Sequence, residues 1–456
     1  MQKNLPKNSI WILIGFLGLI FLPILFIKIP GLALLISFGI ATLILLMIVG
    51  PLFGFLLYFP TTFFVPIKIY FQIPVTVNQL AGIIYLFSFL LWYLRYRPQL
   101  EKKSIFKFLC VIVIYFLINT LTGEDFEAGL NHGFYLLLYF FICLTLTMQY
   151  RNLKAIKIFL WIILIFTALS ALPGLYEAVT GIDILTKSNS YWRGHLRVNG
   201  MAANPIIYGS NLIWAFPFGY FLFCYSKTFK GRMLALLLTF FCVVIALLTF
   251  NRQVYIYLLG ALIAIGIFLK NQYSRRFMMF LIIIGIISSF SIASFIYTRF
   301  TSPSQYTRDM SLAFRVDGIK VMWKVLSEKP LFGIGLGSYP TRWQNHLPDN
   351  VIILQFQKGY RMYPDLGFNQ LLVETGLIGF LLAVSFFTLI VLFLIRNWRE
   401  ALANGWNYRL DYIGIIIGAM TMFLLQNCIQ DTFLNIRTWL LYSFILSLEN
   451  KDLLVK

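Results

Sequence analysis

Basic residues are concentrated in a part of this sequence where membrane topology gives no reason for them. Residues 299–365 lie between two apolar segments and contain nine bases but only five acids. The bases are Arg299, Arg308, Arg315, Lys320, Lys324, Lys329, Arg342, Lys358 and Arg361. Long outer loops escape the charge rule that orients membrane proteins, so these bases are free to bind substrate. Because guanidinium groups bind phosphate oxygens in pairs, an arginine-rich pocket at an outer membrane surface suggests a lipid that carries a pyrophosphate.

Two arginines before this loop also stand out by their surroundings. Arg197 lies just before an apolar run, where Asn204 followed by Pro205 predicts the start of a helix. Arg252, with Asn251, is the whole polar content of a turn between two strongly apolar runs. A lone arginine there is costly unless it is paired. Each arginine is a candidate phosphate ligand, although binding of a lipid headgroup (Arg197) and snorkelling to the interface (Arg252) remain alternatives.

The long loop itself predicts structure. Residues Ser311–Ser327 carry apolar side chains at helical spacing, which predicts a helix that ends before Pro330. The apolar positions are Leu312, Val316, Ile319, Trp323 and Leu326. Arg315 lies at the edge of this apolar face, so we expect it to lean toward the protein. The glycine-rich segment Gly333–Pro340 predicts a turn, and Tyr339 is one of several outer aromatic residues that suit stacking on sugars.

Polar residues continue into the next apolar run. Asp365 follows a proline and precedes the run, so it is either a helix N-cap or a general base for a hydroxyl. Asn369 lies one turn further along the same face. Glu374 is deeper in the run, where an acid must be paired or solvated. A structural pairing and a functional role are equally compatible with Glu374, and Asn204, Tyr339, Asn369 and Glu374 are possible supporting residues.

Composition determines the class of the protein. Of 456 residues, 60% are hydrophobic and 12% are charged, and the mean hydropathy is +0.81. Apolar runs of about 20 residues recur along the chain, and a backbone facing lipid must be helical. We therefore predict an all-α integral membrane protein with about 12–14 transmembrane helices and one large helical extracytoplasmic loop.

Charge distribution predicts the topology. Successive spans alternate in direction, so alternate loops lie on the same side of the membrane. The short basic loops all lie on one side, which must be cytoplasmic, and this puts both termini in the cytoplasm. The acidic loop with Glu124 falls on the opposite side. We predict N-terminal transmembrane helices over residues 1–297 with a smaller outer loop at 177–204, the large outer loop over 298–365, and C-terminal helices over 366–456.

Other classes of function fit the sequence poorly. The net charge of +20 comes from bases in short loops beside spans, so we expect membrane lipids and not nucleic acid as the partner. The three histidines are too scattered for a metal cluster, and the five cysteines lie in or beside apolar runs. We expect no metal and no cofactor.

Four stretches together resemble the O-antigen ligase and O-antigen polymerase superfamily of bacterial envelope enzymes. They surround Arg197 to Pro205, Asn251–Arg252, Arg315 to Gly337, and Asn369 to Gly379. The resemblance implies a fold similar to the GT-C-like integral-membrane glycosyltransferases in the bacterial inner membrane. It implies metal-independent transfer of an undecaprenyl-pyrophosphate-linked glycan to a glycan or lipid-glycan acceptor, with Arg197, Arg252 and Arg315 binding the pyrophosphate.

The acidic residue before the last stretch bears on the type of enzyme. Ligases of this superfamily carry a His-Asn pair nine residues before the Glu-x-Gly motif, and here that position holds Asp365 and Leu366. Polymerases more often carry an acid there, which favours a polymerase with Asp365 and Arg315 as catalytic residues. A transporter or flippase of a lipid-linked oligosaccharide is the alternative. Transporters favour internal repeats and midplane polar sites, whereas these bases cluster at one surface.

Overall fold

The computed structural model describes eleven stretches of the chain. These are residues 51–62, 68–71, 73–96, 104–149, 153–183, 191–192, 195–202, 204–269, 305–347, 367–427 and 435–449. The described residues fall into two compact units, one on each side of the boundary between residues 100 and 101.

The first unit combines two helices and a hairpin. Thr76 and Gln79 form a reciprocal cap at the start of the second helix, because the Thr76 amide donates to the Gln79 side chain (2.9 Å) and the Gln79 amide donates to the Thr76 hydroxyl (3.2 Å). The hairpin strands are antiparallel. The elements are α1 (Pro51–Thr61), β1 (Lys68–Phe71), β2 (Ile73–Thr76) and α2 (Val77–Tyr96).

The second unit is a helical bundle with a short hairpin. Its helices before the long loop are α3 (Ser104–Leu121), α4 (Phe126–Gln149), α5 (Leu153–Thr180), α6 (Pro205–Leu212), α7 (Ala215–Tyr225), α8 (Phe229–Leu247) and α9 (Arg252–Phe268). The helices within and after the long loop are α10 (Gln305–Glu328), α11 (Tyr339–Arg342), α12 (Gly367–Ala403), α13 (Asn407–Asn427) and α14 (Ile436–Ser447). The hairpin pairs β3 (Tyr191–Trp192) with β4 (His195–Leu196).

Seven helical segments among the described residues are long and apolar enough to cross a membrane. They are Val77–Leu94, Phe126–Gln149, Leu153–Thr180, Pro205–Tyr225, Phe229–Leu247, Gly367–Ala403 and Asn407–Asn427. Two shorter apolar helices are Ile105–Leu121 and Gln253–Phe268. The predicted all-α, multi-pass membrane fold is confirmed. The apolar runs that begin near Ile10, Leu32 and Phe277 lie outside the described residues, so the count of 12–14 stays a prediction.

The short links between spans fix which ends of the helices lie together. Residues 150–152 join α4 to α5, so the start of α4 and the end of α5 lie at the same end of the bundle. Residues 226–228 join α7 to α8, so the start of α6 and the end of α8 also share one end. The 195–202 segment follows α5 and bonds to the end of α8, which brings these ends together.

The long loop contains the predicted helix, but a different face of it is buried. Helix α10 ends at Glu328, as the sequence predicts. Its buried side chains include Val321, Met322 and Val325, whereas Trp323 is 65% exposed. The pattern assigned Trp323 to the buried stripe, and that assignment is wrong because the neighbouring turn, rather than the helix's own periodicity, decides which face is covered. Trp343, Tyr339 and Ile334 pack against this face.

Candidate functional site

A break inside α12 forms the first part of the site. Gly376 has φ 66° and ψ −174°, which interrupts the helix within an apolar span. The Val373 carbonyl accepts a hydrogen bond from the Ile334 amide (3.2 Å), and the Glu374 carbonyl accepts one from the Gly335 amide (2.9 Å). The loop segment after α10 therefore pairs with the broken helix by backbone hydrogen bonds.

The second half of the broken helix pairs with the same loop. The Leu377 amide donates to the Pro330 carbonyl (2.9 Å), and the Ile378 amide donates to the Leu331 carbonyl (3.2 Å). Polar backbone at membrane depth must find such partners inside the protein. We call residues 330–337 together with 373–378 the glycine junction.

Asn119, at the end of α3, bonds both ends of the turn in the glycine junction. Its side-chain amide donates to the Phe332 carbonyl (2.7 Å), and its carbonyl oxygen accepts from the Leu336 amide (2.8 Å). The Glu124 amide donates to the Ile334 carbonyl (2.8 Å). These contacts place the glycine junction at the end of the bundle that holds the α3–α4 turn.

The glycines of the predicted turn are required by its geometry. Gly333, Gly335 and Gly337 have φ values of 68°, 100° and 84°, in a region that L side chains rarely adopt. A Cβ at position 335 would lie 2.2 Å from the Gly123 Cα. The predicted tight turn is confirmed, and it is fixed against α12 and Asn119.

Glu374 lies at the centre of the glycine junction and is 1% exposed. One oxygen of its carboxylate accepts hydrogen bonds from the Tyr339 amide and from the Gln370 side chain, both at 3.2 Å. The Tyr339 hydroxyl is buried and has no hydrogen-bond partner among the described residues. Burial first, and then the charge of Glu374, raise the pKa of Tyr339, so this phenol stays protonated near neutral pH.

The second part of the site brings two of the predicted arginine segments together. The Val198 amide donates to the Leu248 carbonyl (3.3 Å), which sets the segment after Arg197 beside the α8–α9 turn. Asn251 caps α9 by accepting from the Gln253 amide (3.1 Å), and Arg252 is the first residue of that helix. We call residues 197–200 together with 248–252 the arginine junction. Arg197 is half-buried.

Two buried acids hold the arginine junction. Glu177, at the end of α5, is 0% exposed and accepts from the Asn199 amide at 2.7 Å. Asp183 is 3% exposed and accepts from the Asn199 side chain at 2.9 Å. Gly200 has φ 54°, and a Cβ there would lie 2.3 Å from the Tyr208 ring. The turn after Arg197 is thus fixed by the carboxylates of Glu177 and Asp183 and by the Tyr208 ring.

The remaining predicted residues are located as follows. Asn204 caps α6, because its side chain accepts from the Ile206 amide (2.8 Å), so the predicted helix start is confirmed. Asn369 is half-buried in the first turn of α12. Arg315 lies on α10, but its side chain is not among those described. Asp365 lies outside the described residues. The convergence of Arg197, Arg252 and Arg315 on one pocket stays a prediction.

Sequence reasoning missed several residues that build the site. Glu177, Asp183 and Asn199 were inside a predicted outer loop, and Asn119 was inside an apolar run. Their common signal is a polar side chain at the edge of a span, which is costly unless it is bonded. That signal indicates that such residues have partners but does not identify them.

Asp125 in the α3–α4 turn also joins the site. Its carboxylate accepts from the Thr341 hydroxyl (2.6 Å), and the Arg342 Nε lies 3.7 Å from it. The Asp125 amide donates to the Ser338 hydroxyl (3.2 Å). The α3–α4 turn therefore contacts both the glycine junction and the short helix α11.

Comparison with known proteins gives one family. Residues 233–384 match the family model described as O-antigen ligase. The matched segment begins in α8 and ends in α12, so it includes Arg252, Arg315, the glycine junction and Glu374. No curated protein matches the chain.

Proposed function

We propose, because residues 233–384 match the family model described as O-antigen ligase, that this chain is a glycosyltransferase of the O-antigen ligase and polymerase type in the bacterial inner membrane. It moves a glycan from undecaprenyl pyrophosphate to a sugar hydroxyl of a glycan or lipid-glycan acceptor at the extracytoplasmic face. The observation that carries the proposal is the arginine junction. There a backbone contact brings the segments of Arg197 and Arg252 together, and the carboxylate of Glu177 binds the Asn199 amide at the same end of the bundle.

The arginines carry the part of the reaction that involves the leaving group. Guanidinium groups in a site of low dielectric bind pyrophosphate oxygens strongly and stabilise the charge that develops as the glycosidic bond breaks. Arg197 and Arg252 supply two of these charges, and Arg315 on α10 supplies a third. Three cations replace the role that a metal ion has in other pyrophosphate-dependent enzymes, so transfer is metal-independent.

Asp365 carries the part of the reaction that involves the acceptor. Its carboxylate takes the proton of the acceptor hydroxyl as the oxygen attacks the anomeric carbon. The bond between that carbon and the pyrophosphate oxygen breaks, and undecaprenyl pyrophosphate leaves with the electron pair. Attack opposite the leaving group inverts the anomeric carbon. An acid at this position favours polymerase activity over lipid-glycan ligation.

A reconstituted assay tests this function. The purified protein in vesicles receives lipid-linked oligosaccharide and several acceptors, and both bond formation and lipid movement are measured. We expect new glycosidic bonds, with loss of at least about a hundredfold in rate for Arg252→Ala or Arg315→Ala. Lys230→Ala, at the opposite end of α8, and Lys320→Ala, on α10, are controls that should keep the rate.

The same assay separates the alternative. Movement of the lipid-linked glycan across the bilayer without bond formation would identify a flippase. Asp365→Asn should lower the catalytic rate while donor binding is retained, since the arginines and not the carboxylate bind the pyrophosphate. If Asp365→Asn transfers glycan at the wild-type rate, another group takes the proton.

A further inference from the structure

Five side chains, in which bases and acids alternate, form a continuous chain of contacts beside the glycine junction. In order they are Lys324, Glu328, His346, Glu124 and Lys329, and we call them the charge chain. His346 Nδ1 lies 2.5 Å from Glu328 Oε2, and His346 Nε2 lies 3.2 Å from Glu124 Oε2. Lys329 Nζ lies 2.8 Å from Glu124 Oε1, and Lys324 Nζ lies 3.7 Å from Glu328 Oε1.

His346 is the central member and joins parts of the chain that are far apart in sequence. Glu328 is the last residue of α10, and Glu124 lies in the α3–α4 turn, 222 residues from His346. The His346 side chain is 7% exposed, so water screens its contacts weakly. By contrast, the ion pair between the exposed Lys320 and the buried Asp317 (3.3 Å) lies within one helix and joins no other segment.

The two contacts of His346 fit a ring that is protonated on both nitrogens and faces two ionised carboxylates. A neutral imidazole has one N–H donor and one acceptor nitrogen, whereas an imidazolium has two donors. Both ring nitrogens lie against carboxylate oxygens. Only the imidazolium can donate to Glu328 and Glu124 together. Loss of its proton would turn a lone pair toward one of these carboxylates.

The surrounding charges favour the same arrangement. Burial raises the pKa of Glu124, but the hydrogen bonds and charges of Lys329 and His346 outweigh burial and bring it below its ordinary value. A carboxyl with a lowered pKa stabilises the fold above its ordinary pKa, and this stabilisation is lost as the pH falls through the lowered value. Asp125 and Arg342 face the same turn and pair with each other at 3.7 Å.

We propose that His346 is a positioning residue for glycan transfer, because its imidazolium joins the end of α10 to the α3–α4 turn and thereby fixes the helix that carries Arg315. This inference rests on the proposed function. Arg315 lies 13 residues before Glu328 on α10, and a helix of that length extends about 20 Å. A small change of angle at the fixed end therefore moves the guanidinium of Arg315 away from the pyrophosphate.

The first test measures transfer by His346→Gln, Glu124→Gln, the double variant and the control Lys320→Gln in vesicles. Each single variant should lose about tenfold in rate, a loss expected of displaced groups, and the double variant should lose no more than either one. Lys320→Gln should remain within about twofold of wild type, because its pair with Asp317 lies within α10 and joins no other segment.

The second test does not depend on transfer. Amide hydrogen exchange over residues 338–346, measured at pH 6, should be faster in His346→Gln than in wild type. Equal exchange at pH 6, or losses of rate that multiply in the double variant, would overturn the proposal. If exchange responds as expected but the wild type forms no glycosidic bond, the charge chain stands and the proposed function fails.

Discussion

The glycine junction and the arginine junction both fix a loop segment against the end of a membrane helix, but they do so with different groups. In the glycine junction, four backbone hydrogen bonds join residues 330–335 to residues 373–378. In the arginine junction, one backbone bond joins Val198 to Leu248, and the carboxylates of Glu177 and Asp183 hold Asn199. The first arrangement depends on backbone conformation, and the second depends on buried side-chain charge.

This difference has a consequence for function. A backbone ladder tolerates changes of side chain but not of φ, so the glycine junction serves as a rigid support for the long loop. A carboxylate bonded to one amide can be changed without refolding the helices, so the arginine junction is where substitution should alter substrate binding. Substitution in the glycine junction should therefore act mainly through the stability of the fold, whereas substitution at the arginine junction should act mainly on donor binding.

Gly376→Ala should have the largest effect. Alanine at φ 66° is strained, and its Cβ would lie 2.3 Å from the Leu331 carbonyl oxygen. Because that oxygen belongs to the backbone ladder, it cannot move freely, and we expect a loss of on the order of 4 kcal/mol or more. The apparent Tm of the purified protein in detergent measures this loss, and transfer activity should disappear with it.

Gly405→Ala is the matched control. Gly405 has φ 69°, but a Cβ there meets nothing within 4 Å. Its substitution therefore reports the conformational strain alone, about 1–2 kcal/mol. If the two variants lose equal stability, the ladder yields easily and the glycine junction is not a rigid support.

Glu177→Ala should have the next largest effect, and we expect it mainly on the KM for the donor. It leaves the half-buried Asn199 amide without its acceptor, which costs about 1–3 kcal/mol. Since Asn199 follows Arg197 by two residues, the donor KM should rise several-fold while kcat changes less. Steady-state kinetics with the lipid-linked donor measure both constants. Glu127→Ala, an exposed acid at the start of α4, is the control. A fall in kcat with an unchanged KM would show that this acid does not act through the donor site.

Sequence patterns predicted the elements that depend on local chemistry. The apolar runs predicted the spans, Asn204 with Pro205 predicted the start of α6, and Pro330 predicted the end of α10. Each of these follows from hydrophobicity or from the hydrogen-bonding needs of a few neighbouring residues. The three closely spaced glycines likewise predicted a tight turn.

Sequence patterns did not predict the contacts between distant segments. The ladder between the turn and α12 depends on the break at Gly376, and a glycine inside an apolar run is also compatible with an unbroken helix. The buried face of α10 depends on Tyr339 and Trp343, which pack against it. Arg409 lies near the start of a span, where charge counting takes a base as an orienting residue, yet it is 1% exposed and donates to Asn397 (2.6 Å) and to the Leu448 carbonyl (2.7 Å). Charge counting cannot distinguish such a structural base from a solvated one.

A tyrosine beside each junction gives the smallest expected effects and the sharpest contrast. The Tyr208 hydroxyl, beneath Gly200, donates to the Ser170 carbonyl (2.8 Å) and accepts from the Gly174 amide (3.2 Å). The Tyr339 hydroxyl is buried without a partner among the described residues. Tyr208→Phe should cost about 1–2 kcal/mol, whereas Tyr339→Phe should be neutral or slightly stabilising, since an unbonded buried hydroxyl opposes folding. Apparent Tm values in the same detergent compare them, and Tyr339→Phe should keep its transfer rate. Equal losses of Tm would mean that the Tyr339 hydroxyl has a bonded partner, such as a buried water, and that the glycine junction also depends on side-chain polar contacts.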